Sequence, residues 1–364
     1  MKAAVLYQAG SPLKIEDVRL SEPRRGELVV RVAAAGVCHS DYHYLIGDLA
    51  TPLPVVLGHE GAGIVEEVGP EVTKVKRGDH VVLLWRASCG RCEYCARGRP
   101  ALCDISKVQR NTGGMLDGTS RLTSGDTELK HFLGVSCFAE RCVVAEDAVV
   151  KIPDDTPMEI AALLGCSVIT GVGAVLNTAN VSAGSKVLVL GAGGVGLCCV
   201  MGAAVAGASQ IIVVDVSAQK LDFARQFGAT DVIDAANDDV VKAVRTKTGG
   251  GTDYSFEAIG RAETLLQAVR AIRGGGTAVA VGLARADSTV ALSINDLVLQ
   301  EKTLKGSLYG SARPVIDLPL LLQLYKREKL PLDRLLVRRY GLDDVNEAFY
   351  ALSSGELGRS VVLP

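Results

Sequence analysis

Thiol, imidazole and carboxylate side chains gather in a few short stretches of this sequence, and their chemistry is that of metal ligation. Gly36-Val37-Cys38-His39-Ser40-Asp41-Tyr42-His43 puts a thiol, a hydroxyl, a carboxylate and two imidazoles into eight residues. A thiolate such as Cys38 binds Zn²⁺, but a catalytic zinc needs further protein ligands and one position open to substrate. His59, in Gly58-His59-Glu60-Gly61, and Cys166, in Leu164-Gly165-Cys166-Ser167, are the candidate partners, giving a Cys₂His set scattered along the chain. Taken singly, each residue fits an inert buried cysteine or a hydrogen-bonded histidine as well. Asp41 and Glu60 stand beside these ligands. The Asp41 carboxylate suits the free ring N–H of His59, an arrangement that fixes the tautomer of a zinc-bound imidazole. A solvated turn is the alternative for both acids.

A second cluster is compact. Cys89, Cys92, Cys95 and Cys103 follow a C-x₂-C-x₂-C-x₇-C spacing, which suits closed tetrahedral coordination of a structural zinc. An iron–sulfur cluster and a pair of disulfides are the competing readings. The third stretch is built on glycines. The apolar run Val187-Leu188-Val189-Leu190 leads into Gly191-Ala192-Gly193-Gly194-Val195-Gly196, and Ile211-Ile212-Val213-Val214 ends in Asp215. Strand, Gly-x-Gly-x-x-Gly, helix and an acid about 20 residues on form the dinucleotide-binding pattern, with pyrophosphate at the helix N-terminus and the acid on the adenosine ribose. Asp215 favours NAD over NADP, because a carboxylate repels a 2′-phosphate, and Lys220 is expected near the same ribose.

Composition narrows the remaining choices. Among 364 residues, 39 Lys+Arg balance 41 Asp+Glu for a net charge of −2, and 48% are hydrophobic. No basic excess marks a nucleic-acid partner. Polar residues interrupt Met1 to Gln8 before a leader's apolar core could form, and no later apolar run is expected to reach membrane-spanning length. These features give the expectation of a cytoplasmic protein whose ten cysteines serve metals rather than disulfides.

The length calls for two domains. From Lys2 to about residue 85, short β-rich segments (Ala3 to Tyr7, Leu28 to Ala34, Gly63 to Val68, His80 to Leu84) alternate with turns and read as a small, mostly antiparallel barrel. Residues 104 to 140 read as a long polar, Gly-rich loop, and a loop of that length is usually functional. Residues 168 to 179 read as a helix. Strands at 231–233, 254–258, 277–281 and 303–306 alternate with helices at 240–247 and 262–272, which predicts a six-stranded doubly wound sheet. After a helix from Pro314 to Tyr325, Ser360 to Leu363 reads as a strand returning to the first domain.

Gly-Val-Cys-His-Ser-Asp, Gly-His-Glu-Gly-Ala-Gly, the four-cysteine lobe, the Cys166 segment and the Gly-rich turn together resemble the zinc-dependent medium-chain alcohol dehydrogenases, over essentially the whole chain. The resemblance implies an α/β protein with a GroES-like β-barrel catalytic domain (1–167 and 311–364) and a Rossmann NAD-binding domain (168–310). It places a catalytic zinc on Cys38, His59 and Cys166 and a structural zinc on Cys89, Cys92, Cys95 and Cys103. The retained stretch 104 to 140 looks like the longer, dimeric members, so a homodimer is expected and a tetramer stays open.

The implied reaction is reversible hydride transfer from a primary or aromatic alcohol to NAD, with zinc as the Lewis acid. Ser40 matches the residue that receives the alcohol's proton, and His43 the outer end of that relay. Asp41 and Glu60 belong to the same catalytic group. Thr170 resembles the residue that positions the nicotinamide, Arg359 a pyrophosphate contact and Arg261 an adenine contact. Leu49, Trp85, Phe132, Leu133, Leu283 and Leu308 match the alcohol pocket. Lys107 resembles the basic residue of glutathione-dependent formaldehyde dehydrogenases, while Leu49 replaces their matching acid, so a thiol adduct such as S-(hydroxymethyl)glutathione is the alternative substrate. A zinc-free NADPH reductase and a non-catalytic nucleotide-binding relative are remoter readings.

His39 departs from members with Arg against the pyrophosphate. A histidine near its reference pKa of ~6.5 is partly charged at neutrality, whereas arginine is always charged and bidentate. His39→Arg is therefore expected to tighten NAD binding and flatten its pH dependence across about pH 5.5–7.5, as read by equilibrium titration. An unchanged dissociation constant and profile would remove this role from His39.

Overall fold

The computed structural model describes all 364 residues, which divide into two compact units. The first comprises Met1–Cys166, Arg313–Leu320 and Leu332–Pro364, and the second Ser167–Ala312 and Leu321–Pro331. These bounds lie close to the expected 1–167, 168–310 and 311–364. The main difference is Leu321–Pro331, which belongs with the second unit and buries Leu321, Leu322 and Leu330.

Two sheets build the first unit. One runs in the order Val149–Ile152, His80–Leu83, Gly61–Val68, Glu27–Gly36, Arg359–Leu363 and Leu336–Gly341, with Arg141–Ala145 also paired to Glu27–Gly36. The long strand Glu27–Gly36 buries all but two of its residues because both of its edges and both of its faces are occupied. The closing strand joins it antiparallel, Val361 opposite Gly36. The other sheet runs Lys14–Asp17, Lys2–Leu6, Val55–Val56, Thr127–His131, Leu122–Ser124 and Arg19–Leu20. Leu6, Leu28, Val30, Leu57, Leu83, Phe132 and Phe138 fill the core.

The polar stretch 104 to 140 is not the long loop expected from its sequence. It holds the helix Ile105–Thr112 and the strands Leu122–Ser124 and Thr127–His131. Its strands are only three and five residues long, too short for a clear apolar alternation to betray them. A buried ion pair fastens the stretch to the barrel: Arg121 Nε and Nη2 donate to the two Glu27 carboxylate oxygens at 2.9 and 2.6 Å, and Nη2 also donates to Asp117 at 2.8 Å.

In the second unit six parallel strands lie in the order Asp231–Asp234, Gln210–Asp215, Lys186–Leu190, Thr252–Glu257, Ile272–Ala280 and Thr303–Gly306. This is the doubly wound order 3-2-1-4-5-6, whose direction of winding reverses beside the first strand, where such sheets take ligands. Leu188, Leu190, Ile212 and Val214 pack at its centre. The helix read from 168 to 179 begins earlier, at Met158, and contains π-helical turns at Leu164–Val168 and Ala174–Ala179. Contrary to the expectation that no apolar run reaches membrane-spanning length, Met158–Ala179 does so by length and composition. However, 83% of its apolar window is buried inside the protein, as in a core helix.

Removing one partner of a buried ion pair strands the other charge, typically at a cost of about 3–5 kcal/mol. Arg121→Met is therefore expected to destabilise the first unit by about that much, read as a lower melting temperature or denaturant midpoint. Acid acts on the same tie, because the Asp117 carboxyl lies below its ordinary range, where burial is outweighed by the Thr119 N–H and the Arg121 guanidinium. This contribution is present above the ordinary aspartate pKa of about 3.9 and fades as pH falls towards the depressed value.

Candidate metal centre and nucleotide turn

Three separate backbone devices deliver the scattered ligands. Cys38 is the N-cap of the helix His39–Ile46, and its sulfur accepts the Ser40 N–H at 3.5 Å. A thiolate is favoured at that position by the helix dipole. His59 follows Gly58, which has φ +95° and whose β-carbon, if it had one, would lie 2.5 Å from the Phe138 nitrogen. Cys166 projects from the π-helical turn Leu164–Val168. Such turns recur at functional sites.

The ligand atoms of Cys38, His59 and Cys166 lie within 4.8 Å of one another, and all three residues are buried. His59 Nε2 is 3.3 Å from Cys166 Sγ, close to the separation of two donors about 2.0 and 2.3 Å from a shared zinc. His59 Nδ1 lies 2.9 Å from Asp41 Oδ2, and Asp41 Oδ1 accepts the Gly58 N–H at 3.1 Å. Nδ1 is thus turned to the carboxylate and Nε2 to the metal position. Trp85 and Phe132 stand edge-on to the imidazole, with ring centroids 6.1 and 5.8 Å away.

The electrostatics suit a cation. Hydrogen bonding from Cys166 holds the Cys38 thiol well below its ordinary pKa, against burial and with help from Arg359 and His59. The same bond, with burial, pushes Cys166 well up. Burial disfavours charge on His59, but Asp41 and Cys38 outweigh it and raise the imidazole pKa well above normal. Burial also raises Asp41, opposed by His59 and the Gly58 N–H. Metal binding requires these ligands in their deprotonated forms, so metal affinity falls as pH falls.

In the four-cysteine lobe all sulfurs likewise lie within 4.8 Å. Cys103 Sγ is 3.5 Å from Cys89 Sγ and 3.7 Å from Cys92 Sγ. Sulfurs about 2.3 Å from a tetrahedral zinc are about 3.8 Å apart, so the set fits that ion. The Cys95 and Asp104 N–H groups lower the Cys92 thiol to about 6, while burial raises Cys95 to about 12. All ten cysteines are free thiols, which removes the disulfide reading.

In the second unit, Gly193 caps the helix Gly194–Val205. A β-carbon on Gly196 would lie 1.8 Å from the Gly191 carbonyl oxygen, so only glycine permits the tight turn that also carries Val195. Asp215 ends the neighbouring strand, where Oδ2 accepts the Ala192 N–H at 2.8 Å and Oδ1 the Ser217 N–H at 3.0 Å. Ser217 caps the next helix through the Lys220 N–H, which places Lys220 in its first turn. Thr170 is half-buried and Arg261 exposed at the start of Ala262–Ala271.

Other expected residues are placed as follows. Ser40 is half-buried beside Cys38. His43 Nδ1 lies 3.0 Å from Asp48 Oδ2, so it is no free surface histidine. His39 is exposed and edge-on to Tyr42. Leu49 and Leu133 are half-buried in the first unit, whereas Leu283 and Leu308 are exposed in the second. Two of the expected contact residues sit in ion pairs. Arg359, expected against a pyrophosphate, is 4% exposed and pairs with the buried Glu60 carboxylate, because a charge so deeply buried needs a counter-charge. Lys107, expected to hold a substrate carboxylate, is exposed and bound to Asp104 at 2.5 Å. Gln109, Arg121 and His131 are buried polar residues that sequence reasoning missed. No local motif marks them.

A GroES-like barrel carrying a Cys₂His cluster, with a doubly wound unit in the same chain, defines the zinc-binding class of two-domain dehydrogenases. Residues 24–154 match the alcohol dehydrogenase GroES-like domain and residues 194–327 the zinc-binding dehydrogenase family. The NDMA-dependent alcohol dehydrogenase of Amycolatopsis methanolica is 42% identical, over 100% of this chain and 98% of that protein. The class-3 alcohol dehydrogenase of Drosophila melanogaster is 41% identical, over 99% and 97%. The benzyl alcohol dehydrogenase structure from Acinetobacter calcoaceticus superposes with a TM-score of 0.93 at 35% identity, over 100% and 98%. The chain belongs to the zinc-dependent medium-chain alcohol dehydrogenases. It is a zinc-type alcohol dehydrogenase, and hence an oxidoreductase.

Loss of a carboxylate behind a zinc-bound histidine typically lowers metal affinity 10–100-fold. Asp41→Asn is expected to show a loss of about that size at the Cys38–His59–Cys166 site, read by competition with a chelator. Retained affinity would show that Asp41 does not orient His59.

Proposed function

We propose that the protein reversibly oxidises a primary or aromatic alcohol to its aldehyde, with NAD as hydride acceptor and two zinc ions per chain. The observation that carries the reading is the convergence of the Cys38, His59 and Cys166 ligand atoms within 4.8 Å, with Asp41 behind the imidazole. Three protein ligands are the number that leaves a fourth position for substrate. Zinc held there would supply Lewis acidity that makes the alcohol hydroxyl acidic near neutral pH. Cys89, Cys92, Cys95 and Cys103 would hold the second ion and close it off.

The protein's own groups then handle the proton. Ser40 stands beside Cys38 at the start of the helix His39–Ile46, and its hydroxyl accepts the proton released by the alcohol. His43 lies one turn further along, at the i+3 spacing that shares a helix face. Its Nδ1 is engaged by Asp48, which leaves Nε2 to carry the proton outward. Trp85 and Phe132, edge-on to His59, form an apolar wall that favours an aromatic or alkyl substituent. Support for this class also comes from the likeness to benzyl alcohol dehydrogenase.

Asp215 at the end of the second sheet strand supports NAD over NADP. Thr170, Gly191, Gly193, Gly194, Val195, Gly196, Lys220 and Arg261 are the remaining cofactor contacts of this reading. A homodimer fits the sheet's outer strand Thr303–Gly306, exposed along its length, beside a helix with Ile294, Val298 and Leu299 exposed. An exposed strand edge beside apolar helix residues is open to pairing. We place the protein in the cytoplasm.

The deciding experiment compares benzyl alcohol with S-(hydroxymethyl)glutathione, each with NAD, NADP and NDMA as acceptor, alongside metal analysis. NAD reduction with benzyl alcohol and two zinc ions per chain are expected. Turnover confined to the glutathione adduct overturns the substrate class, and activity with NDMA but not with added NAD overturns the acceptor.

A further inference from the structure

The two ligand clusters of the first unit are joined by one side chain. The strand His80–Leu83 runs out into Leu84, whose N–H donates to the Ala148 carbonyl at 2.8 Å. Three residues on, Ala87 packs against Ala145 and Ala148. The backbone on either side of Trp85 and Arg86 is therefore held by the barrel before it enters the four-cysteine lobe at Cys89.

From this pinned segment Trp85 stands edge-on to His59, with ring centroids 6.1 Å apart. Arg86 reaches the lobe, where its Nε donates to the Ala101 carbonyl at 3.0 Å. Ala101 sits in the turn Pro100–Leu102, which Cys103 closes with its own N–H on the Pro100 carbonyl. The Arg86 guanidinium also lies over the Trp85 ring, 5.6 Å from its centroid. A single buried group thus touches both the lobe and the ring that walls the metal centre. Arginine suits that place, because its planar guanidinium donates in its plane while its face rests on an aromatic ring, whereas an ammonium is a compact point charge. Within the lobe, the Ala96, Arg97, Gly98 and Leu102 N–H groups donate to Cys92, Glu93, Cys95 and Arg99. Those bonds close inside the loop, and Arg86 carries the loop's position to Trp85.

We propose that Arg86 is a positioning residue that fixes Trp85 beside His59 and makes that placement depend on the order of the four-cysteine lobe. The proposal rests on the alcohol-oxidation reading above in taking Trp85 as part of the substrate wall. The tie between lobe and ring rests on the contacts alone.

Trp85 is the one tryptophan of the chain, so its emission reads this wall. Acrylamide quenching and time-resolved anisotropy are compared in the zinc-loaded wild type, Arg86→Lys and Arg86→Met, together with kcat/KM for benzyl alcohol relative to ethanol. The wild-type ring is expected to show no fast local motion. Both variants are expected to quench at least about twofold more readily and to lose about tenfold of the preference for benzyl alcohol, since lysine keeps the charge but cannot make both contacts. Cys92→Ser, purified with one zinc per chain, is expected to raise quenching in the same direction.

Fast local depolarisation in the wild type overturns the proposal without need of any variant. So does unchanged quenching in Arg86→Met, even with a lower melting temperature, which marks a merely structural guanidinium. Full rescue by Arg86→Lys reduces the role to charge and overturns it too, as does a benzyl preference that persists while quenching rises. Unchanged quenching in Cys92→Ser removes the dependence on the lobe. If the wild type oxidises neither alcohol, the alcohol reading fails and the quenching results still decide the tie. If the alcohols are oxidised and quenching is flat, only the tie fails.

Discussion

The contact between Asp41 and His59 governs the metal centre. A buried imidazole has two nitrogens that bond differently, and only a defined partner on one assigns the other to a metal. Asp41 provides that partner and is itself held by the Gly58 N–H, one residue before the histidine it orients. The helix His39–Ile46 carries Asp41 and is capped by Cys38, so one ligand and the orienter of another are fixed by a single short element. Any shift of this helix would move both.

Charge pairing explains how so many ionisable groups share one buried place. Asp41 faces His59, and Glu60 faces Arg359. The two thiolates would be matched by the two charges of zinc. Arg359 also acts beyond its partner, since its positive charge lowers the Cys38 pKa. Burial of any of these charges alone would be prohibitive, whereas burial of the set is tolerable. The placement of Arg359 follows from this balance. A guanidinium that pairs with a buried Glu60 behind the ligands is part of the centre's electrostatics, whatever else it touches.

The two cysteine sets differ in how they read from sequence. The lobe's four thiols lie within a short stretch, so their spacing already suits a closed tetrahedral site. The same holds for the Gly-rich turn, where strand, glycines, helix and Asp215 are neighbours in sequence and the steric demand on Gly196 is met within six residues. Cys38, His59 and Cys166 are spread over more than a hundred residues, and the pattern there suggested ligands without showing that they meet. The stretch 104 to 140 reads as a loop from sequence because its strands are short, and its tie to the barrel is a side-chain pair between Arg121 and Glu27, 94 residues apart.

Local sequence, then, determined whatever depends on neighbours along the chain: the parallel strand and helix alternation, the turn around Gly191–Gly196 and the four-thiol lobe. Tertiary structure alone decided which distant groups became partners. It turned Arg359 towards Glu60 and Lys107 towards Asp104. The reason is physical. Backbone preferences and ligand spacing act over a few residues, but a buried charge or amide is satisfied by whatever the fold packs beside it, and that neighbour has no fixed distance in sequence.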